Sequence, residues 1–295
     1  MPYPYGAIDA VCNFEFADPG LERPQWSKDF ITRKIGAPAS SVASFTVESF
    51  LAKMDRAGIE HVFLIAVKAG SAMHKIHRRV SYEKVATVCR AHPDRFSGLA
   101  GVDPTEGMKG LAELERAVKE LGFVGAHLYP HWFEMPPDHA RYYPIYAKCC
   151  ELGVPIQMQV GHCLRYSEER PLKSVGRPIT LDTIACDFPE LKLVGIHVGW
   201  PWTEEMISVA YKHPNVYIGS DAYAPSHWPE CFVRFIDSWG SRKVIFGTDF
   251  PVIDLERARS EIEELPIREE PKRRFLRDNV IDLYRLSLPK AQAVA

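Results

Sequence analysis

The stretch Phe188-Pro-Glu-Leu-Lys-Leu-Val-Gly-Ile-His197-Val-Gly joins the end of a helical pattern to a short apolar run that stops at a histidine. A short apolar run with turn residues on both sides is typical of a strand that is buried on both faces. Such strands belong to parallel sheets that are covered by helices on their faces. The stretch therefore predicts one βα unit, with a polar side chain at the carboxyl end of its strand.

Seven further apolar runs repeat this pattern, and each is followed by a helical pattern. The first two helical patterns along the chain are Val47 to Ala57 and Tyr82 to Ala91. The eight predicted strands are Ala7 to Val11, His61 to Val67, Ser97 to Val102, Gly122 to Leu128, Pro155 to Val160, Lys192 to His197, Asn215 to Gly219 and Lys243 to Gly247. Apart from the first interval, their spacing suits one βα unit each. No linker divides the chain, so we predict an α/β fold with a single (β/α)8 TIM-type barrel domain over residues 1–295. A doubly wound open sheet is the alternative.

Two connections are much longer than the others, namely residues 13–45 after the first strand and residues 162–179 after the fifth. In a barrel, both leave from the face that carries the carboxyl ends of the strands. Long loops at that face are usually functional lids or binding loops. We therefore expect both loops to border a functional site.

The composition excludes several classes of protein. With 46% hydrophobic and 25% charged residues in 295, the chain has the composition of a globular protein with a large core. A balance of 36 basic and 38 acidic residues lacks the charge of a nucleic-acid-binding surface. No apolar run approaches the roughly 20 residues that cross a bilayer. Seven cysteines without a CxxC pair favour free thiols, and we expect a cytoplasmic protein with neither nucleic acid nor membrane as partner.

Polar residues follow the predicted strands at their carboxyl ends. His127, His162 and His197 are spaced 35 residues apart, one per βα repeat, and Asp249 follows the eighth strand. Side chains at these positions converge over the mouth of a barrel, where imidazoles and a carboxylate can form a zinc or manganese site. Each histidine alone is more often a hydrogen-bonded structural residue.

Several stretches resemble the amidohydrolase superfamily. They are Pro155-Ile-Gln-Met-Gln-Val-Gly-His162, the opening stretch through His197, Lys212-His-Pro-Asn-Val-Tyr-Ile218, Phe246-Gly-Thr-Asp249-Phe-Pro and Asp278-Asn-Val-Ile-Asp-Leu-Tyr-Arg-Leu286. The resemblance is to the amidohydrolase-related branch, which includes aminocarboxymuconate semialdehyde decarboxylase and the resorcylate-type decarboxylases. It implies that His162 and Asp249 match metal ligands. It also implies that His197 matches a histidine that polarises the substrate or assists catalysis in the decarboxylase branch and can bind metal elsewhere in the superfamily.

The first strand departs from this resemblance. It reads Ile8-Asp9-Ala10-Val11-Cys12-Asn13, with Val11 and Asn13 where the family has two histidine ligands. Valine cannot bind a metal, and an amide oxygen is a weak ligand for zinc. Three explanations stay open: the site is rebuilt with His127 or His131, the enzyme works without a metal, or catalysis is lost. Strand alternation places Asp9, Val11 and Asn13 on one side of the sheet, and Asn13 at the mouth is a candidate catalytic residue.

The candidate substrate-binding residues are cationic or aromatic. Arg165 and Arg177 lie in the loop after the fifth strand, together with Tyr166, Arg170 and Lys173. Guanidinium groups bind carboxylates bidentately, although solvated loop charge is an equally good interpretation. Aromatic residues near the mouth favour a flat organic substrate, and the candidates are Trp132, Trp200 and Tyr223. The basic run from Met73 to Arg79 is interpreted as a solvated loop.

We therefore expect an enzyme that acts on a small aromatic or unsaturated carboxylic acid by non-oxidative decarboxylation or by hydrolysis. One divalent ion, zinc or manganese, would be held by His162, Asp249 and His127, with His197, Asp249 and Asn13 as catalytic residues. A homo-oligomer is expected. The alternative is a non-catalytic or metal-free barrel that serves as a binding or partner subunit.

Overall fold

The computed structural model describes residues 3–13, 25–42, 45–71, 77–165 and 171–288. Both long loops of the sequence analysis are described only in part, and Tyr166 and Arg170 lie outside the described residues. All eight predicted barrel strands lie within them, and so does every candidate site residue.

Eight parallel strands form one sheet in which chain order and spatial order agree. They are β1 (Ala7–Cys12), β2 (Ile59–Ala66), β5 (Phe96–Gly101), β6 (Gly125–Leu128), β7 (Ile156–Gln159), β8 (Leu193–Ile196), β9 (Val216–Gly219) and β10 (Val244–Ile245). Backbone hydrogen bonds join the first segment to the last, from Ala10 to Phe246 at 3.0 Å and from Asn13 to Phe250 at 2.9 Å. The prediction of a (β/α)8 barrel is confirmed, and the open-sheet alternative is excluded.

Helices follow the strands. The longer ones cover the outside of the barrel, whereas two short ones, Gln25–Asp29 and Pro130–Phe133, carry residues that line a pocket at its mouth. The helices are α1 (Gln25–Asp29), α2 (Val47–Ala57), α3 (Tyr82–Ala91), α4 (Gly107–Lys119), α5 (Pro130–Phe133), α6 (Tyr143–Leu152), α7 (Thr180–Asp187), α8 (Thr203–Lys212), α9 (Glu230–Ile236), α10 (Leu255–Glu263), α11 (Glu269–Arg273) and α12 (Asn279–Tyr284). In α2, the Thr46 side chain caps the first turn and Gly58 ends the helix in a left-handed conformation. These local signals explain why the predicted bounds of α2 match the structure.

Strict alternation along the first strand was a wrong expectation. The pairing of β1 with β2 shifts register between Asp9 and Cys12, which marks a bulge or irregularity. Ala10 and Val11 consequently pack in one buried cluster with Ile8, whereas Cys12 packs in the other. Asn13 still reaches the mouth of the barrel, because the irregularity lies before it.

The basic run after β2 is more ordered than the interpretation as a solvated loop implied. Arg78 and Arg79 form β4 (Arg78–Arg79), which pairs antiparallel with β3 (Lys68–Ala69). The Arg79 side chain binds the buried carboxylate of Asp103. The Arg78 side chain lines a pocket at the mouth of the barrel. Residues 73–76 of the same run lie outside the described part of the chain.

Two further sequence expectations concern the whole chain. Within the described residues, no helix has both the length and the apolar character needed to cross a membrane. All seven cysteines are free thiols.

Candidate active site

A histidine and two aspartates meet at the carboxyl ends of β8, β9 and β10. One ligating atom each of His197, Asp221 and Asp249 lies within 4.8 Å of the other two. His197 and Asp249 have left-handed backbone conformations, with φ of 70° and 57°. Such conformations are costly for residues other than glycine and concentrate at functional sites. The strand ends therefore turn these side chains over the mouth of the barrel.

Asp221 is the most deeply buried of the three. Its Oδ1 accepts a hydrogen bond from the His197 backbone N–H at 3.0 Å, and its Oδ2 lies 3.3 Å from His197 Nε2. Burial raises the pKa of Asp221 well above its ordinary value, and the negative charge of Asp249 raises it further. Two buried carboxylates at this distance require either a proton or a cation between them.

His197 is neutral in this environment. Burial lowers the pKa of its imidazole to about 3, and the nearby His131 and Arg165 lower it further. A neutral imidazole can offer a lone pair to a metal or accept a hydrogen bond.

Asn13 links the first strand to this cluster. Its Nδ2 donates to Asp249 Oδ1, while its Oδ1 accepts a hydrogen bond of 2.9 Å from the Tyr129 hydroxyl. A carboxylate can only accept, so the amide nitrogen of Asn13 must face Asp249. Asn13 is thereby placed to orient Asp249.

Asp9 lies below the mouth and joins β1 to the segment before Asp249. Its carboxylate accepts hydrogen bonds from the Thr248 hydroxyl, the Thr248 backbone N–H and the Val11 backbone N–H. Burial raises the pKa of Asp9 to about 7 despite these bonds. Its contacts are structural, because they hold the backbone that carries Asp249.

The two histidines of the β6 region have different surroundings. His127 is fully buried, and its Nδ1 lies 3.0 Å from Gln157 Nε2. His131, in α5, lines the pocket, and its Nδ1 accepts a hydrogen bond from the Val175 backbone N–H. Neither belongs to the cluster of His197, Asp221 and Asp249.

The structure places His162 at the rim rather than in the cluster. Its side chain is exposed and lines the pocket, and its ring packs 5.4 Å from that of Trp202 and 6.4 Å from that of Trp200. A role of His162 as a metal ligand stays a prediction.

A pocket opens above the cluster and contains about 860 Å³ of empty space, counting its opening to solvent. This space can take a substituted single ring. Asn13, His197 and Asp249 line its floor, and Trp132 and Tyr223 belong to its walls. Trp200 is 40% exposed and packs against Tyr223, with ring centroids 5.5 Å apart and the ring planes tilted by 40°.

The two candidate arginines are placed differently. Arg165 lines the pocket, where its guanidinium packs between aromatic rings at 4.6 Å from Trp26, 4.9 Å from Phe30 and 5.2 Å from Trp132. Arg177 instead forms a bidentate ion pair with Glu205 and packs over Trp202. The structure therefore brings Arg165 to the pocket and keeps Arg177 out of its lining.

Asp221 and Arg78 were missed as candidate site residues. Asp221 carried the same signal as Asp249, a carboxylate just after a predicted strand, but the resemblance pointed only to Asp249. Arg78 carried no signal, because the antiparallel ladder that directs it to the pocket has only two residues on each side.

Buried carboxylates and an imidazole at the carboxyl ends of eight parallel strands define a TIM-barrel enzyme. The sequence model of the family described as Amidohydrolase matches residues 28–286. The chain therefore belongs to the amidohydrolase family, which confirms the resemblance inferred from its strand-end motifs.

Several known proteins are similar to this chain. It is 34% identical over 135 residues to a 2-keto-4-carboxy-3-hexenedioate hydratase of Sphingobium sp., a match that spans 39% of this chain and only 38% of that protein. It is 23% identical over 287 residues to a gamma-resorcylate decarboxylase of Polaromonas sp., covering 79% of this chain and 86% of the relative.

Solved structures share the fold over nearly the whole chain. An uncharacterized TIM-barrel protein of Bordetella bronchiseptica is 25% identical, with a TM-score of 0.79 over 95% of this chain and 98% of its own. A dihydroxybenzoic acid decarboxylase of Polaromonas sp., solved with manganese and 2-nitroresorcinol, is 20% identical, with a TM-score of 0.70 over 98% and 99%.

Proposed function

We propose that this enzyme is a divalent-metal-dependent decarboxylase of a small aromatic or unsaturated carboxylic acid. The observation that carries the proposal is the cluster of His197, Asp221 and Asp249, of which His197 and Asp249 line a pocket with aromatic walls. The similarity to gamma-resorcylate decarboxylases supports the choice of reaction. Hydrolysis at the same site is the second candidate, because Asp249 is also placed to accept a proton from water.

The cluster fits a divalent cation. His197 Nε2 and Asp221 Oδ2 are buried and have no hydrogen-bond partner within the described part of the chain. Buried polar atoms are normally paired, so these two indicate a ligand. One imidazole and two carboxylates suit manganese or zinc. We propose that His197, Asp221 and Asp249 hold the ion, while the predicted ligand His162 faces the pocket beside them.

A bound divalent cation supplies positive charge that stabilises the developing negative charge of the transition state. The residues of the chain do the remaining work. The caged guanidinium of Arg165 is placed to bind a substrate carboxylate, and Trp132 and Tyr223 offer faces against which a flat ring can pack. When the bond between carbon and the leaving carboxylate breaks, its electron pair stays on carbon and takes up a proton. Asp249 is the carboxyl group at the pocket that is placed to move this proton.

Carbon dioxide release and ester hydrolysis should be measured in parallel on manganese-loaded protein. The first probes are 2,6-dihydroxybenzoate and 5-carboxyvanillate, which are bound or used by structural neighbours. We expect carbon dioxide release from at least one aromatic acid, and its loss in Asp249→Asn but not in the exposed control Asp94→Asn. Hydrolysis without carbon dioxide release would favour the second candidate. Tight binding of acids without turnover would favour the non-catalytic barrel.

Location and assembly also remain proposals. The seven free cysteines support a cytoplasmic location. Tyr211 and Trp239 stack with ring centroids 5.1 Å apart although their side chains are 61% and 76% exposed. We propose this pair as the contact of a homo-oligomer. Light scattering tests it by comparing the molar mass of Trp239→Glu with that of the parent.

A further inference from the structure

A second polar group lies inside the barrel, below the pocket. It consists of His127 on β6, Gln157 on β7 and Tyr284 at the end of α12, and all three side chains are buried. None of them lines the pocket directly. Polar groups in such a position are retained when each hydrogen bond is satisfied, so their pairing can be examined atom by atom.

The orientation of the Gln157 amide follows from its neighbours. Its Nε2 lies 3.2 Å from the Ala10 backbone carbonyl, and its Oε1 lies 3.0 Å from the Tyr284 hydroxyl. A carbonyl oxygen can only accept a hydrogen bond, so the atom that faces Ala10 must be the amide nitrogen. The reversed amide would place two carbonyl oxygens against each other. Gln157 therefore donates towards Ala10 and accepts from Tyr284.

The tautomer of His127 follows from that orientation. The same Gln157 Nε2 lies 3.0 Å from His127 Nδ1, and its second hydrogen is directed to that atom. Since Nδ1 accepts a hydrogen bond, it carries no proton, and the proton of the neutral imidazole is on Nε2. A nitrogen that carries a proton has no lone pair for a metal. His127 is thus held in the tautomer that cannot act as a ligand.

The protonated nitrogen of His127, Nε2, has no hydrogen-bond acceptor among the described residues. His127 Nε2 is buried without a hydrogen-bond partner among the described residues, as are His197 Nε2 and Asp221 Oδ2. The His127 ring lies 4.3 Å from the ring of Tyr129, which lines the pocket together with His197 and donates a hydrogen bond to Asn13 beside Asp249. Buried unpaired polar atoms at one place are usually satisfied by an oxygen atom of a water or a ligand.

We propose that His127 is a hydrogen-bond donor to an oxygen atom bound beside His197, and that Gln157 is the positioning residue that fixes its tautomer. The oxygen belongs to a buried water or to the reacting molecule. This assignment replaces the sequence prediction of His127 as a metal ligand. It deepens the proposed function, but the tautomer is a property of the metal-free protein and can be measured without any activity.

The direct test is nitrogen-15 NMR of the imidazoles in metal-free protein, with His127 assigned by the signal that disappears in His127→Gln or His127→Ala. We expect a protonated Nε2 and an unprotonated Nδ1. Tyr284→Phe is the matched control: it removes one hydrogen bond of Gln157 but leaves the Ala10 carbonyl, so the tautomer should persist. Gln157→Glu places only acceptor oxygens beside Nδ1 and should move a proton onto that atom. An unprotonated Nε2 in the parent protein would overturn the assignment.

Metal content gives a second, independent readout. Glutamine in place of His127 keeps an N–H donor of similar reach but has no imidazole lone pair. His127→Gln should therefore retain the bound manganese of the parent, whereas loss of manganese would show that His127 is a ligand and overturn the proposal. In an active enzyme, His127→Ala should lower kcat about tenfold, and His127→Gln should restore part of it. If no acid is turned over but the NMR result holds, the proposed function fails and this inference stands.

Discussion

Asn13 occupies a place where the family resemblance implies a histidine ligand, and the structure gives this amide a different task. Its nitrogen donates to Asp249 and its oxygen accepts from Tyr129, so it holds a carboxylate in position. In the proposed site, the metal-binding atoms come instead from residues that follow β8, β9 and β10. Because Asn13 stands in place of a histidine ligand, the proposed metal lies closer to β8, β9 and β10 than the family resemblance implies.

Replacing Asn13 with alanine should therefore impair turnover more than metal retention. We expect kcat to fall at least about tenfold, because Asp249 loses the hydrogen bond that orients it. Manganese content should stay near that of the parent. Both quantities can be measured on one preparation, and loss of the metal with turnover per bound ion unchanged would show that Asn13 is itself a ligand.

Among the structural elements, the loop after β7 contributes four residues to the pocket lining, from His162 to Arg165. Its base is closed by a backbone hydrogen bond from Gly161 to Gly176. Its Arg165 packs against the rings of Trp26 in α1, Phe30 just after α1 and Trp132 in α5. Gly161 has φ of +89°, and a side chain there would meet the Trp200 carbonyl oxygen. The path of the loop therefore depends on Gly161, and the aromatic rings hold the charged side chain of Arg165 at the pocket.

Arg165 and Arg177 offer a matched pair on this element. Arg165→Met should raise the KM for a carboxylate substrate about tenfold or more with little change in kcat, because a bidentate contact made in the ground state is lost. Arg177→Met removes the same charge from the same loop. It breaks the ion pair with Glu205 and the contact with Trp202, and neither partner lines the pocket, so its KM should stay near that of the parent. Steady-state kinetics on both variants tests this prediction. Equal changes in KM would show that the two arginines act only through the general positive charge of the loop.

Gly161→Ala tests the path of the same loop. The substitution places a Cβ atom in a left-handed conformation and against the Trp200 carbonyl oxygen, so we expect a loss of about 1–3 kcal/mol in the free energy of unfolding. Urea unfolding of the metal-free protein measures it. Unchanged stability would mean that the loop adopts another path. Gly36, which has φ of +76° and open space around it, gives the control substitution Gly36→Ala for conformation without a clash.

Elements were predictable from the sequence where local chemistry determines them. Helices α2 and α3 match the predicted bounds, because a threonine or serine caps each helix and the apolar spacing is regular. The irregularity in β1 was not predictable, since it depends on how two distant segments pair. For the same reason the different surroundings of His127, His162 and His197 were not predictable. His127 is buried below the pocket, His162 is exposed at its rim and His197 lies at its floor.

At the scale of the whole molecule, the barrel keeps ionisable groups in its interior, and this makes stability depend on pH. Asp9 has a pKa of about 7 in the folded protein and 3.8 as its ordinary value. Between about pH 4 and pH 7, the folded protein binds a proton at Asp9 that the unfolded chain has released. The contribution of Asp9 to stability therefore falls as pH rises through this window.

Asp9→Asn removes this titration and keeps the shape of the side chain. In metal-free protein, the melting temperature of the variant relative to the parent should rise with pH, by at least about 3 °C across this window. Thermal unfolding followed by circular dichroism checks it, with the exposed substitution Asp94→Asn as the control. If the melting temperatures of the parent and of Asp9→Asn change with pH in the same way, the pKa of Asp9 is not raised in the folded protein.

The central claim is that the mouth of the barrel holds one divalent ion on His197, Asp221 and Asp249. Elemental analysis of the purified protein, combined with turnover of the same sample before and after chelation, tests it most directly. We predict about one divalent ion per chain, turnover that disappears on chelation and returns with manganese, and loss of the ion in Asp221→Asn and Asp249→Asn without loss of secondary structure. Full turnover by protein that contains no metal would contradict the claim.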